Sequence, residues 1–238
     1  LYILRLHDLI KPTRKEVIMS NSISWFEYST SLFTDEDLGF FLDLSSSGVS
    51  AATIHSANSK FQQVFSAMEK LENGAISNPD EDRQVGHYWL RNPDKAPSPE
   101  ISNQIKETVS AIKTFAEDIA TGKLLAPDGR QFSNILLIGI GGSALGPQFI
   151  ADSLDCDTGL SIEFLDNTDP DGIDRVLSSL SDSLSQTLVI VISKSGGTAE
   201  TRNGLLETQH HFQKLGLTFS KQAIAITGKD SQLYNQAN

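Results

Sequence analysis

The segment LVIVISKSGGTAETRNGLLE, residues 188–207, joins a continuous apolar run to a loop of small polar residues. The run 188–193 is short and rich in β-branched residues, which favours a buried strand. The loop contains two adjacent glycines, and a helix is predicted from residue 198 to residue 215 directly after them. The segment therefore predicts a strand, a loop and a helix in immediate succession.

Similar short apolar runs occur elsewhere in the same part of the chain, at 135–140 (ILLIGI), 161–165 (SIEFL) and 222–227 (QAIAIT). Helices are predicted between the runs, near 147–154, 170–180 and 198–215. Strands that alternate with helices indicate a parallel sheet with both faces covered. We therefore predict a doubly wound α/β domain over residues 131–238.

The preceding region, residues 19–130, is predicted to be helical. Apolar residues at three- and four-residue spacing predict a helix over 51–73 and a second helix that begins at Ser98 and Pro99. The predicted buried face of the second helix consists of Ile101, Ile105, Val109, Ile112, Phe115 and Ile119. A short helix is predicted over 34–44, and the proline-rich stretch 78–100 is predicted to be irregular and on the surface.

Composition excludes several classes of protein. The 238 residues carry a net charge of -11, which argues against a nucleic-acid partner, and no apolar stretch is long enough to span a membrane. The single cysteine, Cys156, is predicted to have a packing role; because it can form no intrachain disulfide, it favours a cytoplasmic location. Residues 1–18 are basic whereas the rest is acidic, so either Met19 is the natural start or a short basic arm precedes it.

The loop after the run 188–193 has the composition of an anion site. Ser193, Ser195 and Thr198 supply three hydroxyl groups, and Gly196 and Gly197 let the backbone approach a ligand closely. The first amides of the following helix lack internal partners, and the helix dipole adds positive potential there. A phosphate is the anion most often bound in such a setting.

Two other interpretations of this loop stay open at this stage. Lys194 either adds positive charge to the site or points into solvent. The loop as a whole could be a tight turn in which the hydroxyl groups only cap the helix. The spacing of the nucleotide-binding P-loop is absent.

A second loop, GIGGSALGP at residues 139–147, follows another predicted strand. Gly139, Gly141 and Ala144 also fit a relaxed dinucleotide pattern, with Asp166 at the position of a ribose-binding acid, so an oxidoreductase is a rival hypothesis. Pro147 is predicted to be the first helical residue, which would leave Ala144 in the loop and Ser143 at its tip. Two facing loops of this kind favour a pocket for a small phosphorylated molecule.

Other catalytic arrangements fit poorly. Leu145 stands where a nucleophile elbow requires glycine, and the five histidines lack the spacing of metal ligands on one helix face. We therefore predict no metal site.

The two loops and their separation resemble the first sugar-isomerase domain of the glucose-6-phosphate isomerase family. The stretch DRQVGHYWLRNP (82–93) is also similar to that family, especially to its cyanobacterial and plastid members. The resemblance implies that Gly142 and Ser143 meet the sugar end of the substrate. It also implies a phosphate site lined by Ser193, Lys194, Ser195, Gly196, Gly197 and Thr198.

The resemblance further implies the interconversion of glucose 6-phosphate and fructose 6-phosphate through a cis-enediol, by a homodimer without a cofactor. The family's base glutamate, histidine and lysine would lie beyond Asn238, so this chain is expected to be an inactive part that holds the phosphate site. The alternative is a non-catalytic sugar-phosphate-binding regulator, although the acidic N-terminal helices disfavour a DNA-binding role.

Overall fold

A computed structural model describes residues 23–154 and 159–238. The predictions for residues 1–18, Met19 and Cys156 lie outside these residues. The chain divides into two compact units, the first ending at Ile105 and the second beginning at Lys106. The division into regions 19–130 and 131–238 stays a prediction. Within the described ranges, no helix is long and apolar enough to cross a membrane.

The first unit combines helices with two small antiparallel hairpins. Strand β1 pairs with β2, and β3 pairs with β4. Its elements are α1 (Trp25–Ser31), β1 (Leu32–Asp35), β2 (Phe40–Asp43), α2 (Ala51–Glu72), β3 (Ile76–Asn78), β4 (Arg83–Gln84), α3 (His87–Arg91) and the start of α4 (Pro99–Ala120). The predicted bounds of α2 and the predicted start of α4 are confirmed within one residue.

The predicted short helix over 34–44 is wrong, because these residues form the hairpin of β1 and β2. The Leu38 amide donates to Oδ1 of Asp35 at 3.0 Å, and Gly39 adopts a φ of 61° that closes the turn. The rings of Phe33 and Phe40 lie 6.5 Å apart across the two strands. Aromatic residues on both sides of an Asp-to-Gly turn favour a hairpin over a helix.

The stretch 78–100 is more ordered than predicted, since it contains β4 and α3. Trp89 is buried, and its indole N–H donates to the carbonyl of Glu72 at 2.8 Å. The Lys95 ammonium also lies 2.6 Å from the Glu72 carboxylate. A buried indole with a satisfied N–H fixes this segment to the end of α2.

The predicted buried face of α4 is only partly correct. Ser98 caps the helix, but Ile112 is 61% exposed and Val109 is 40% exposed. The turns of α4 that contain Phe115 and Ile119 belong to the second unit, which begins at Lys106, and these two residues pack against its sheet. Spacing alone predicted one continuous buried face, whereas burial depends on which turns have a neighbour.

The second unit is a four-stranded parallel sheet with the strand order β6-β5-β7-β8, which confirms the predicted α/β class. Its elements after α4 are β5 (Asn134–Ile138), α5 (Gly142–Ser153), β6 (Ser161–Leu165), α6 (Pro170–Ser179), β7 (Thr187–Ser193), α7 (Ala199–Lys214), β8 (Ala223–Thr227) and α8 (Gln232–Ala237). The chain passes from β5 to β6 on one side of β5 and then crosses to β7 on the other side of β5. Such a switch point is where ligands bind in open α/β sheets.

The core explains why the run at 188–193 is apolar throughout. Val189 and Val191 face a cluster that includes Leu205 and Phe212 of α7, whereas Leu188 packs with Ile119 and its neighbours. Alternate residues of a strand point to opposite faces, so β7 buries apolar side chains on both. The strand is thereby fixed in the centre of the sheet. The loop that follows it is held at the edge formed by the carboxyl ends of the strands.

Candidate phosphate-binding site

The loops that follow β5 and β7 lie side by side, as predicted. A Cβ atom at Gly139 would lie 3.1 Å from the Cβ of Ser143 and 3.3 Å from the Ile192 carbonyl oxygen. Glycine at this position therefore allows the first loop to pack closely against the end of β7. The predicted sugar-end residues, Gly142 and Ser143, are thereby brought to the same edge of the sheet as the predicted phosphate loop.

The loop at 193–198 is organised by its own hydroxyl groups. Ser193 Oγ accepts a hydrogen bond from the Gly196 amide at 3.1 Å and lies 3.1 Å from Thr198 Oγ1. Ser195 Oγ accepts a hydrogen bond from the Gly197 amide at 3.3 Å. These bonds hold three hydroxyl groups and two glycine amides within one short loop.

Thr198 is the N-cap residue of α7, but its hydroxyl makes no capping bond to the helix within the described part of the chain. Its partner is Ser193 instead. This geometry does not support the interpretation that the hydroxyl groups only cap the helix. The first amides of α7 lack a side-chain cap and add their partial positive charge at the loop.

The predicted residues lie at different depths. Ser193 is buried, Thr198 is half-buried, and Ser195 and Gly197 are exposed at the sheet's edge. The side chain of Lys194 is also exposed. A ligand at the edge would therefore meet Ser195 and the loop amides first, with Ser193 beneath them.

A third loop, residues 228–231 after β8, supports the phosphate loop and was missed by the sequence analysis. The Gly228 amide donates to the Lys194 carbonyl at 3.1 Å, and the hydroxyl groups of Thr227 and Ser231 lie 2.7 Å apart. The signal was available, because this loop also contains glycine and serine after a predicted strand. Its relevance depends on β8 lying beside β7, which the sequence did not establish.

Gly196 is the tightest point of this packing. It has a φ of 69°, and a Cβ atom there would lie 2.6 Å from Ser231 Oγ and 2.8 Å from the Leu233 amide nitrogen. We expect Gly196→Ala to lower the melting temperature by about 5 °C, because a left-handed conformation and a backbone clash together cost about 2 kcal/mol. Thermal unfolding followed by circular dichroism measures this shift.

Gly197→Ala is the matched control for that variant. The nearest atom to a Cβ at Gly197 is Gln232 Oε1, at 3.5 Å, which is an ordinary contact. The control should therefore unfold close to the temperature of the unmodified chain. Equal melting temperatures for the two variants would show that the packing of Gly196 against Ser231 does not constrain the loop.

The predicted start of α5 is wrong. The helix begins at Gly142, after Gly141 with a φ of 57°, and Pro147 lies inside it. Ser143 and Ala144 therefore stand in its first turn. The positive φ of Gly141, which glycine adopts without strain, turns the chain into the helix early, so the proline does not mark the first position.

Because α5 begins at Gly142, Ala144 lies where the dinucleotide pattern places its last small residue. Asp166, the ribose-binding acid of that pattern, directly follows β6. Its Oδ2 accepts a hydrogen bond from the Gln148 amide group and its Oδ1 accepts one from Asn167, both at 2.9 Å. These bonds orient the carboxylate, but each oxygen retains a second lone pair, so the dinucleotide hypothesis stays open at this point.

Comparison with known proteins shows the family to which the chain belongs. The family model described as phosphoglucose isomerase matches residues 45–233. The chain belongs to the phosphoglucose isomerase family. Among its relatives, glucose-6-phosphate isomerase of Synechococcus elongatus is 54% identical over 210 residues, which are 88% of this chain and 40% of that protein. Glucose-6-phosphate isomerase 1, chloroplastic, of Arabidopsis thaliana is 48% identical over 229 residues, 94% of this chain and 37% of that protein.

A solved structure shares the fold. The crystal structure of a glucose-6-phosphate isomerase from Chlamydia trachomatis superposes with a TM-score of 0.75 and 25% identity, over 90% of this chain and 42% of that one. These matches confirm the resemblance to the isomerase family, with cyanobacterial and plant relatives. The chain spans about 40% of the length of the curated relatives it matches, which supports the prediction that it corresponds to part of an isomerase.

Proposed function

We propose that this chain supplies the phosphate-binding part of an aldose-ketose isomerase that interconverts glucose 6-phosphate and fructose 6-phosphate. The observation that carries the proposal is the loop at 193–198, which combines three hydroxyl groups, two glycine amides and the N-terminus of α7 at the switch point of the sheet. Membership of the family makes a sugar phosphate the natural ligand for such a loop.

In this proposal the phosphate oxygens accept hydrogen bonds from the hydroxyl groups of Ser195 and Thr198 and from the first amides of α7. The two glycine amides of the loop already donate to its serine hydroxyl groups and hold the loop in shape. Each hydrogen bond to a charged group contributes about 1.5–3 kcal/mol, so several together anchor the dianion without an arginine. Lys194 adds positive charge near the loop. Gly142 and Ser143, at the neighbouring strand end, contact the sugar.

The chemical step needs groups that we do not assign to this chain. Ring opening and proton transfer through a cis-enediol require a carboxylate base, assisted by a histidine and a lysine. We propose that these groups lie in the part by which the relatives exceed this chain. No metal or organic cofactor takes part, and the complete enzyme is proposed to be a cytoplasmic homodimer.

Amide NMR of the labelled chain tests the proposed ligand. Glucose 6-phosphate, fructose 6-phosphate and inorganic phosphate should shift the signals of residues 193–198, because all three carry the anion. Glucose should leave these signals in place. A nicotinamide dinucleotide that bound more tightly than the sugar phosphates would contradict the proposal and favour the oxidoreductase hypothesis.

The same experiment bears on the regulatory alternative. A regulator and an isomerase part would both bind the sugar phosphate, so the titration does not separate them. Adding the separately expressed remainder of a relative separates the two hypotheses, because only an isomerase part should then contribute to turnover. Binding without turnover in that mixture would favour the non-catalytic regulator.

A further inference from the structure

One buried hydroxyl group near the loop has no partner in the protein. Thr201 lies in the first turn of α7 and is 4% exposed. Its Oγ1 is the one buried side-chain oxygen or nitrogen without a hydrogen bond among residues 23–154 and 159–238. A buried hydroxyl group is costly unless it is hydrogen-bonded, so this atom calls for an explanation.

Its position in the helix explains why it is unpaired. Thr208 of the same helix is also fully buried, and its hydroxyl donates to the Gly204 carbonyl at 2.7 Å, four residues earlier. The corresponding acceptor for Thr201 would be the carbonyl of Gly197. That residue precedes the N-cap Thr198 and lies outside the helix, so the bond is not formed.

Thr201 lines a cavity of about 100 Å³ behind the phosphate loop. Ser193 and Thr198 line the same cavity, together with Gln232 and Gln236 of α8. A water molecule occupies about 30 Å³ in the liquid and needs two to four polar partners in a buried site. The cavity is large enough and polar enough to meet both requirements.

We infer that Thr201 is a positioning residue for the phosphate loop. Its hydroxyl group binds a water molecule in this cavity, and the water joins it to Ser193 and Thr198. Ser193 thereby stays paired with Thr198, and Thr198 keeps the orientation in which its hydroxyl group meets a phosphate. Thr201 does not touch the ligand, and the inference rests on the proposed function of the loop.

Three variants of the full chain test this role. Thr201→Val keeps the shape but removes the hydroxyl group, and we expect roughly fivefold weaker binding of inorganic phosphate and of glucose 6-phosphate, as for the loss of one hydrogen bond. Thr201→Ser keeps the hydroxyl group and should bind within about twofold of the unmodified chain. Thr208→Val, the matched control, should lower the melting temperature and leave the phosphate affinity unchanged.

A crystal structure of the unmodified chain provides the readout that does not depend on binding. An ordered water molecule should lie about 3 Å from Thr201 Oγ1, and Thr201→Val should lack it. A cavity without this water would overturn the inference, and so would a Thr201→Val variant that melts higher and binds phosphate normally. If the unmodified chain binds no phosphate, the proposed function fails. The crystal structure still tests separately whether Thr201 binds a water molecule.

Discussion

The purified and folded chain of residues 1–238 is expected to isomerise glucose 6-phosphate on the order of 10⁴-fold more slowly than a full-length relative. A phosphate loop contacts the substrate at its phosphate group, far from the carbons that exchange a proton. It binds the ground state and the transition state equally, which lowers KM without raising kcat. A coupled assay that detects fructose 6-phosphate measures the difference.

The reason lies in what the loop offers. Its donors are hydroxyl groups and amides, which stabilise an anion but do not remove a proton from carbon. Proton abstraction requires a base within about 3 Å of the proton in the bound substrate. The carboxylate nearest to the loop in sequence, Glu200, lies in the first turn of α7. The resemblance matches Glu200 to a residue of the phosphate-loop motif and not to the base.

The control for this prediction is the segment of the Synechococcus elongatus enzyme that aligns with the chain, assayed beside the whole enzyme. The segment should lose activity to the same extent as the chain. Turnover of the chain within tenfold of the whole enzyme would contradict the prediction. It would mean that a carboxylate of this sequence acts as the base, and Glu200→Gln would then be the first variant to assay.

The sequence predicted the sheet well because burial on both faces leaves a local signal. The strand of residues 187–193 is apolar on both sides, so its composition identifies it whatever its neighbours are. The glycines and hydroxyl groups that follow it are also adjacent in the chain. The candidate phosphate loop could therefore be predicted from one short segment.

Features that depend on tertiary neighbours could not be predicted in this way. The start of α5 is set by the positive φ of Gly141, and the support of the loop comes from Ser231 on a neighbouring strand end. Ile112 has the spacing of a buried residue, yet it is 61% exposed. The role inferred for Thr201 depends on a cavity that is lined by residues distant in sequence, such as Ser193 and Gln232.

The double variant Ser195→Ala with Thr198→Ala is expected to bind sugar phosphates about 100-fold more weakly, since two hydrogen bonds to a charged group contribute about 3 kcal/mol or more. Ser195 lies exposed at the sheet's edge and holds the Gly197 amide, whereas Thr198 pairs with Ser193. The changes therefore remove two proposed ligand contacts and two bonds that shape the loop. Isothermal titration with glucose 6-phosphate and with inorganic phosphate measures the loss.

A matched double variant, Thr121→Ala with Ser179→Ala, controls for the removal of hydroxyl groups in general. Both residues are exposed at helix C-termini, and each hydroxyl donates to a carbonyl in the last turn of α4 or α6, at 2.7 Å and 2.8 Å. In a full-length relative with the same loop, the loop variant should raise KM and leave kcat nearly unchanged, as expected for uniform binding. An unchanged affinity for inorganic phosphate would instead place the anion elsewhere and remove residues 193–198 from the site.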